Sequence, residues 1–174
     1  MLLFRVGLYM MAFYGVYAYL GDHVVRQFGL GVSANAWLSA SYGVGFGLAA
    51  FVDRILDRIG PQQAISVSLL VLALVYLAIA LSSTDYQWLL LIALVWGVVN
   101  HLAVNALIAA LGAADPARRG TILGLYSATT YLCMSAATLS FGVLYDWFSF
   151  SALCYCATLF CVIAAINRPA ATAS

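Results

Sequence analysis

The amino-acid sequence predicts an all-α, polytopic membrane protein: one bundle of six transmembrane helices spanning residues 1–174. Three observations carry that prediction. Of the 174 residues, 66% are hydrophobic and 7% charged, whereas a soluble domain carries about 25% charged residues to cover its surface. The few charges are clustered, and between the clusters lie six apolar stretches close to the ~20 residues a helix needs to cross a ~30 Å hydrocarbon core. Finally, the basic residues are seven arginines with no lysine, and six of the seven fall on one side of a six-span thread. A soluble globular enzyme, a disordered chain and a basic nucleic-acid binder are all excluded, the last also by a formal net charge of +1.

The spans follow in order as residues 2–20, 34–52, 64–81, 88–111, 121–145 and about 150–166. Helices rather than barrel strands are expected because each run is continuous, whereas barrel strands alternate in segments of ~10 residues. Lipid allows only those two solutions, since backbone polar groups find no water there. The first span lacks a basic leader region and carries Tyr9, Phe13, Tyr14, Tyr17 and Tyr19, so it reads as a helix and not as a cleaved signal. The second carries Ser39, Gly43 and Gly47, a small-xxx-small stripe suited to close helix approach; Gly43-x-Gly45-x-Gly47 follows no strand and is no nucleotide loop. All three prolines, Pro61, Pro116 and Pro169, lie between or beyond the spans. Asp115-Pro116 reads as an N-cap followed by proline in the first turn, and Ser33, Thr84 or Asp85, and Ser149 read as N-caps of other helices. The fifth span carries Ser127, Thr130, Ser135 and Thr138 for packing or polar contacts. The sixth is the shortest. The four cysteines, Cys133, Cys154, Cys156 and Cys161, lack zinc-site spacing and read as small packing residues, so no metal and no cofactor is expected.

Six spans put both termini on one side. Arg5, Arg54, Arg58, Arg118, Arg119 and Arg168 share that side and Arg26 alone lies opposite, a positive-inside signal that predicts cytoplasmic termini in a bacterial-type inner membrane. The longest external connection is expected at residues 21–33, with Asp22 and His23 as a solvated pair.

Polar chemistry inside the spans is concentrated on the fourth helix, at Trp96, Asn100, His101 and Asn105. At 100° per residue, Asn100, His101 and Asn105 fall within about 140° of one another. Burying such groups without partners costs roughly 2–7 kcal/mol, so they are expected at a packed interface or in a wet cavity. Both readings stand on the residues alone. On the first helix Tyr9, Phe13 and Tyr17 recur at i, i+4, i+8 with Tyr14 beside them, and headgroup anchoring does not explain a mid-span phenol. Read as a cavity surface, these eight residues would suit an amphipathic or aromatic small molecule; read as packing, they tie helices together. No nucleophile–base–carboxylate set is present and no acid lies mid-span, so no enzyme is expected.

The loops carry a resemblance. Asp57-Arg58-Ile59-Gly60 resembles the D-R-x-G core of the loop signature of the major facilitator superfamily. Pro116-Ala117-Arg118-Arg119-Gly120 through Gly124 is similar to that family's P-x-x-R-G-x-x-x-G entry into its fifth or eleventh helix, and Gly142-Val143-Leu144-Tyr145-Asp146 closes the fifth span as family members often do. The signature's opening glycine falls on Asp53 and its trailing basic pair on Gln62 and Gln63, decay that is commoner in the C-terminal half of these carriers. The resemblance implies one six-helix half, built as a 3+3 repeat, of a twelve-helix carrier for small molecules. It implies that the first and fourth helices line the path, that Asp57, Arg58, Gly60, Arg119 and Gly120 belong to cytoplasmic gating loops, and that a second bundle is required. That bundle is either a second copy or a separate six-helix half. A truncated, non-autonomous remnant and a six-helix scaffold or accessory subunit are the alternatives.

Overall fold

In a computed structural model that describes residues 1–52 and 59–167, the described residues form six α-helices: α1 (Leu2–Phe28), α2 (Val32–Leu48), α3 (Pro61–Leu81), α4 (Tyr86–Ala114), α5 (Arg119–Trp147) and α6 (Phe150–Ile166). Two 3-10 turns, Ala49–Phe51 and Pro116–Arg118, extend α2 and precede α5. Four of these segments are long and apolar enough to cross a membrane by themselves. The exceptions, α2 and α6, have 17 residues each, about 26 Å at ~1.5 Å per residue.

Contacts between helices obey an internal symmetry. The extensive ones join α1 to α5 and α6, α4 to α2 and α3, and α3 to α6. Exchanging α1, α2 and α3 for α4, α5 and α6 carries this set onto itself, as a 3+3 repeat demands. The central pair is α1 and α4, with α2 and α5 on the flanks.

Polar clamps hold α1 at both ends. At the end where α1 begins and α6 closes, Arg5 is fully buried. Its Nε donates to the Ala164 carbonyl at 2.9 Å, Nη1 to Gln62 Oε1 at 3.2 Å and Nη2 to Ser66 Oγ at 2.9 Å. Ser66 passes its own proton to the Ala165 carbonyl. One guanidinium fork thereby joins α1, α3 and α6, a task for which its planar, many-donor shape is suited. At the opposite end His23 stacks on Phe150 with ring centroids 4.2 Å apart and donates through Nε2 to the Ser83 carbonyl at 2.8 Å. The Tyr19 hydroxyl donates to the Thr138 carbonyl of α5.

Several expectations are corrected here. The first helix does not end near residue 20; it runs to Phe28, leaving only residues 29–31 as the connection. Arg26 and Asp22 pair at 2.7 Å one turn apart, Arg26 also covers the Tyr145 ring, and Val24 is buried. This amphipathic turn therefore has reason to stay helical. Gly29, at φ 63°, then ends it by donating to the Val25 carbonyl. His23 is buried rather than solvated, and Gly31, not Ser33, is the N-cap of α2. Asp85 and Ser149 do cap α4 and α6, and Asp115 caps the turn opened by Pro116. On α5 the hydroxyls of Ser127, Thr130, Ser135 and Thr138 return to carbonyls four residues earlier in their own helix rather than reaching neighbours.

Candidate functional site

The mid-bundle site depends on how closely α2 and α4 approach. A Cβ on Gly45 would collide with the Leu94 carbonyl, and one on Gly97 with the Tyr42 carbonyl. Two glycines, one per helix, therefore let the backbones touch. The stripe read from sequence is displaced: Gly43 and Gly47 face open space, and Gly45 between them makes the contact. Gly97 lies three residues before Asn100 and Gly45 three after Tyr42, so the same approach brings Tyr42 to Asn100.

Asn100 is the hub. It receives the Tyr9 hydroxyl proton on Oδ1 at 2.8 Å and donates through Nδ2 to the Tyr42 hydroxyl at 2.8 Å, tying α1, α4 and α2 at mid-depth. One turn further, Asn105 Nδ2 donates to His101 Nε2 at 2.7 Å, and the Phe46 ring stands edge-on to that imidazole with centroids 4.6 Å apart. Around the hub, Phe13 is the centre of an aromatic cluster. Tyr17 stacks on it at 5.3 Å, with Tyr14, Trp96 and Tyr42 at 5.0, 5.5 and 5.9 Å. Such edge-to-face and offset pairs add about 0.5–1.5 kcal/mol each beyond burial.

The eight residues expected to line a cavity separate into two groups. Tyr9, Trp96 and Asn100 are buried in the interior, at 1%, 0% and 4% exposure. There the Tyr9 phenol and the Asn100 amide bond each other, while the Trp96 Nε1 has no hydrogen-bond partner among the described residues. Phe13, Tyr14 and His101 are half-buried, and Tyr17 and Asn105 are exposed. Together with Tyr42 and Phe46, Phe13, Tyr17, His101 and Asn105 form an aromatic and polar strip where α1, α2 and α4 meet. At its upper end, between α1 and α2, a cavity of about 530 Å³ is walled by Tyr17, Asp22, Asn35, Ser39 and Tyr42 among others. Tyr42 was not singled out from sequence. Its signal, a phenol in mid-span like Tyr14, was present.

Of the expected gating residues, Asp57 and Arg58 lie outside the described residues. Gly60 precedes α3 at φ 78°, a conformation open to glycine, and its carbonyl accepts from Ala64 N–H. Arg119 begins α5, with its side chain against Gly112 of α4, and Gly120 follows, exposed. Among the described residues no cluster of His, Cys, Asp or Glu is placed to hold a metal ion.

The sequence model of the Major Facilitator Superfamily matches residues 2–172. Among curated proteins, the chain is 25% identical over 144 residues to the "Uncharacterized MFS-type transporter YwfA" of Bacillus subtilis strain 168. That match takes in 83% of this chain and 35% of the relative's own length. No solved structure matches.

Proposed function

This chain belongs to the major facilitator superfamily, and from that premise we propose that it is one six-helix half of an alternating-access carrier for a small molecule. The observation that supports this most is the strip on the central helices. Lipid-facing surface has no use for an imidazole, an amide and four phenol or phenyl rings held in one band, whereas a path for an amphipathic or aromatic solute does. The first and fourth helices supply most of that band. A rocking carrier needs a second bundle facing it, provided by another copy or by a separate six-helix partner. In this reading the chain carries its solute unchanged.

Orientation belongs to the same proposal. Arg5, Arg118 and Arg119 lie at the end where α1 begins, and Arg26 lies at the other, so the first end faces the cytoplasm and the membrane is the cell's inner, plasma membrane. The test is accumulation of a panel of radiolabelled small molecules in membrane vesicles with and without the chain. A solute whose movement depends on the chain, and slows about tenfold or more in His101→Ala and Tyr17→Ala at equal membrane abundance, supports the carrier. Loss of oligomer assembly alone in those variants would overturn it in favour of a scaffold. The 35% span of the curated relative favours a second reading, a remnant without autonomous transport. That reading predicts no movement that depends on this chain in those vesicles, alone or as a second copy of itself.

A further inference from the structure

The hydrogen bonds of the hub have a direction. Tyr9 is fully buried, and its hydroxyl has two acceptors in reach, Asn100 Oδ1 at 2.8 Å and the Asn100 backbone carbonyl at 3.5 Å. Reversing the Asn100 amide would leave the Tyr9 proton only the longer, weaker contact, in a place where an unmet donor is costly. The amide is therefore held with oxygen toward Tyr9 and nitrogen toward Tyr42, and the Tyr42 oxygen accepts from it at 2.8 Å. Tyr42's own proton points elsewhere. Among the described residues Tyr42 donates no hydrogen bond, and it is half-buried with a face on the 530 Å³ cavity between α1 and α2. A chain of bonds running Tyr9 to Asn100 to Tyr42 also polarises its last member, so that the terminal O–H is a better donor than an isolated phenol.

We propose that Tyr42 is a specificity-determining residue of this path: its hydroxyl donates to a hydrogen-bond acceptor on the ligand, and the ligand class is an aromatic or amphipathic molecule bearing a carbonyl or comparable oxygen. The proposal rests on the carrier reading and adds to it the polarity of the contact. The rings of Tyr17 and Phe13 beside Tyr42 supply the apolar bed. Tyr9 is a positioning residue. It does not reach the cavity, yet it decides which way the amide faces, and hence whether Tyr42 must donate or is free to accept.

The experiment uses the whole chain in detergent with Trp96 as sole tryptophan, through Trp37→Phe, Trp88→Phe and Trp147→Phe. Trp96 lies 5.3 Å from Tyr42, centroid to centroid. Two isosteric probes are compared: acetophenone, followed by quenching of Trp96, and isopropenylbenzene, which lacks the oxygen and is followed by competition with that quenching. Dividing the affinity ratio in this background by the ratio in Tyr42→Phe isolates the carbonyl–hydroxyl coupling. The expected coupling is about five- to tenfold, the size of one net hydrogen bond. In Tyr9→Phe, which leaves the cavity untouched, the amide can reverse and the coupling should fall to about twofold or less. Thermal midpoints of both variants show that each still folds; should Tyr42→Phe not fold, Tyr9→Phe alone decides. A ratio unaltered by either substitution overturns the proposal while leaving the path intact. Failure of either probe to reach Trp96 overturns the path itself.

Discussion

Single side chains settle the fate of this bundle where apolar burial cannot. Arg5 has a buried guanidinium that satisfies acceptors on two other helices. Truncation to alanine would strand Ser66, Gln62 and the Ala164 carbonyl and leave a void. The expected cost is about 2–4 kcal/mol, read as a lowered midpoint of denaturation in detergent. Arg5→Lys should rescue little, since one ammonium cannot reach three acceptors in three directions. Asn100→Leu keeps the volume and removes the hub, leaving the phenols of Tyr9 and Tyr42 to find other partners in an apolar interior. A loss of about 1–3 kcal/mol is expected in the same measurement; a neutral outcome would show that the hub contributes to recognition and not to folding. The residue types were legible in the sequence, because polar groups in mid-span are expensive wherever they fall. Their assignment was not, since an amide that lines a cavity and one that ties three helices together are written with the same letter.

At the scale of the helix, glycine position matters more than glycine count. Gly45→Ala and Gly97→Ala each place a methyl group on a backbone carbonyl of the facing helix. They should force α2 and α4 apart at a cost of about 1–3 kcal/mol, the usual penalty of overpacking. Gly43→Ala and Gly47→Ala meet nothing and should be neutral or stabilise by up to about 1 kcal/mol through better helix propensity. Thermal midpoints of the four variants separate the two pairs, and equal effects would refute the contact. From the sequence the stripe read as Ser39, Gly43 and Gly47. Spacing alone shows that a face is smooth and not which neighbour meets it, and α2 turns its other glycine inward. The same limit explains the end of α1. Charged residues at positions 22 and 26 looked like a loop because membrane interiors exclude charge, yet a helix that projects beyond the bilayer pairs them across one turn.

For the molecule as a whole, the symmetric pattern of helix contacts and the placement of the arginines make a prediction about topology. Fusions of a cytoplasm-dependent fluorescent protein at either end should both fluoresce, and alkaline phosphatase at either end should remain inactive. One active phosphatase fusion would contradict the six-span thread. How much of this was written in the chain is clear from the spans. Six helices and a membrane solvent follow from composition and charge grouping, because an apolar segment of that length has one low-energy place to be, and the family resemblance followed from three loop motifs in order. Tertiary structure alone decided that Arg5 and His23 pin α1 at its two ends, that Gly45 and not Gly43 meets α4, and that Tyr42 completes a bonded chain begun at Tyr9. Those are contacts between residues tens of positions apart, and they depend on the rotation of each helix about its axis, which hydrophobic length does not encode.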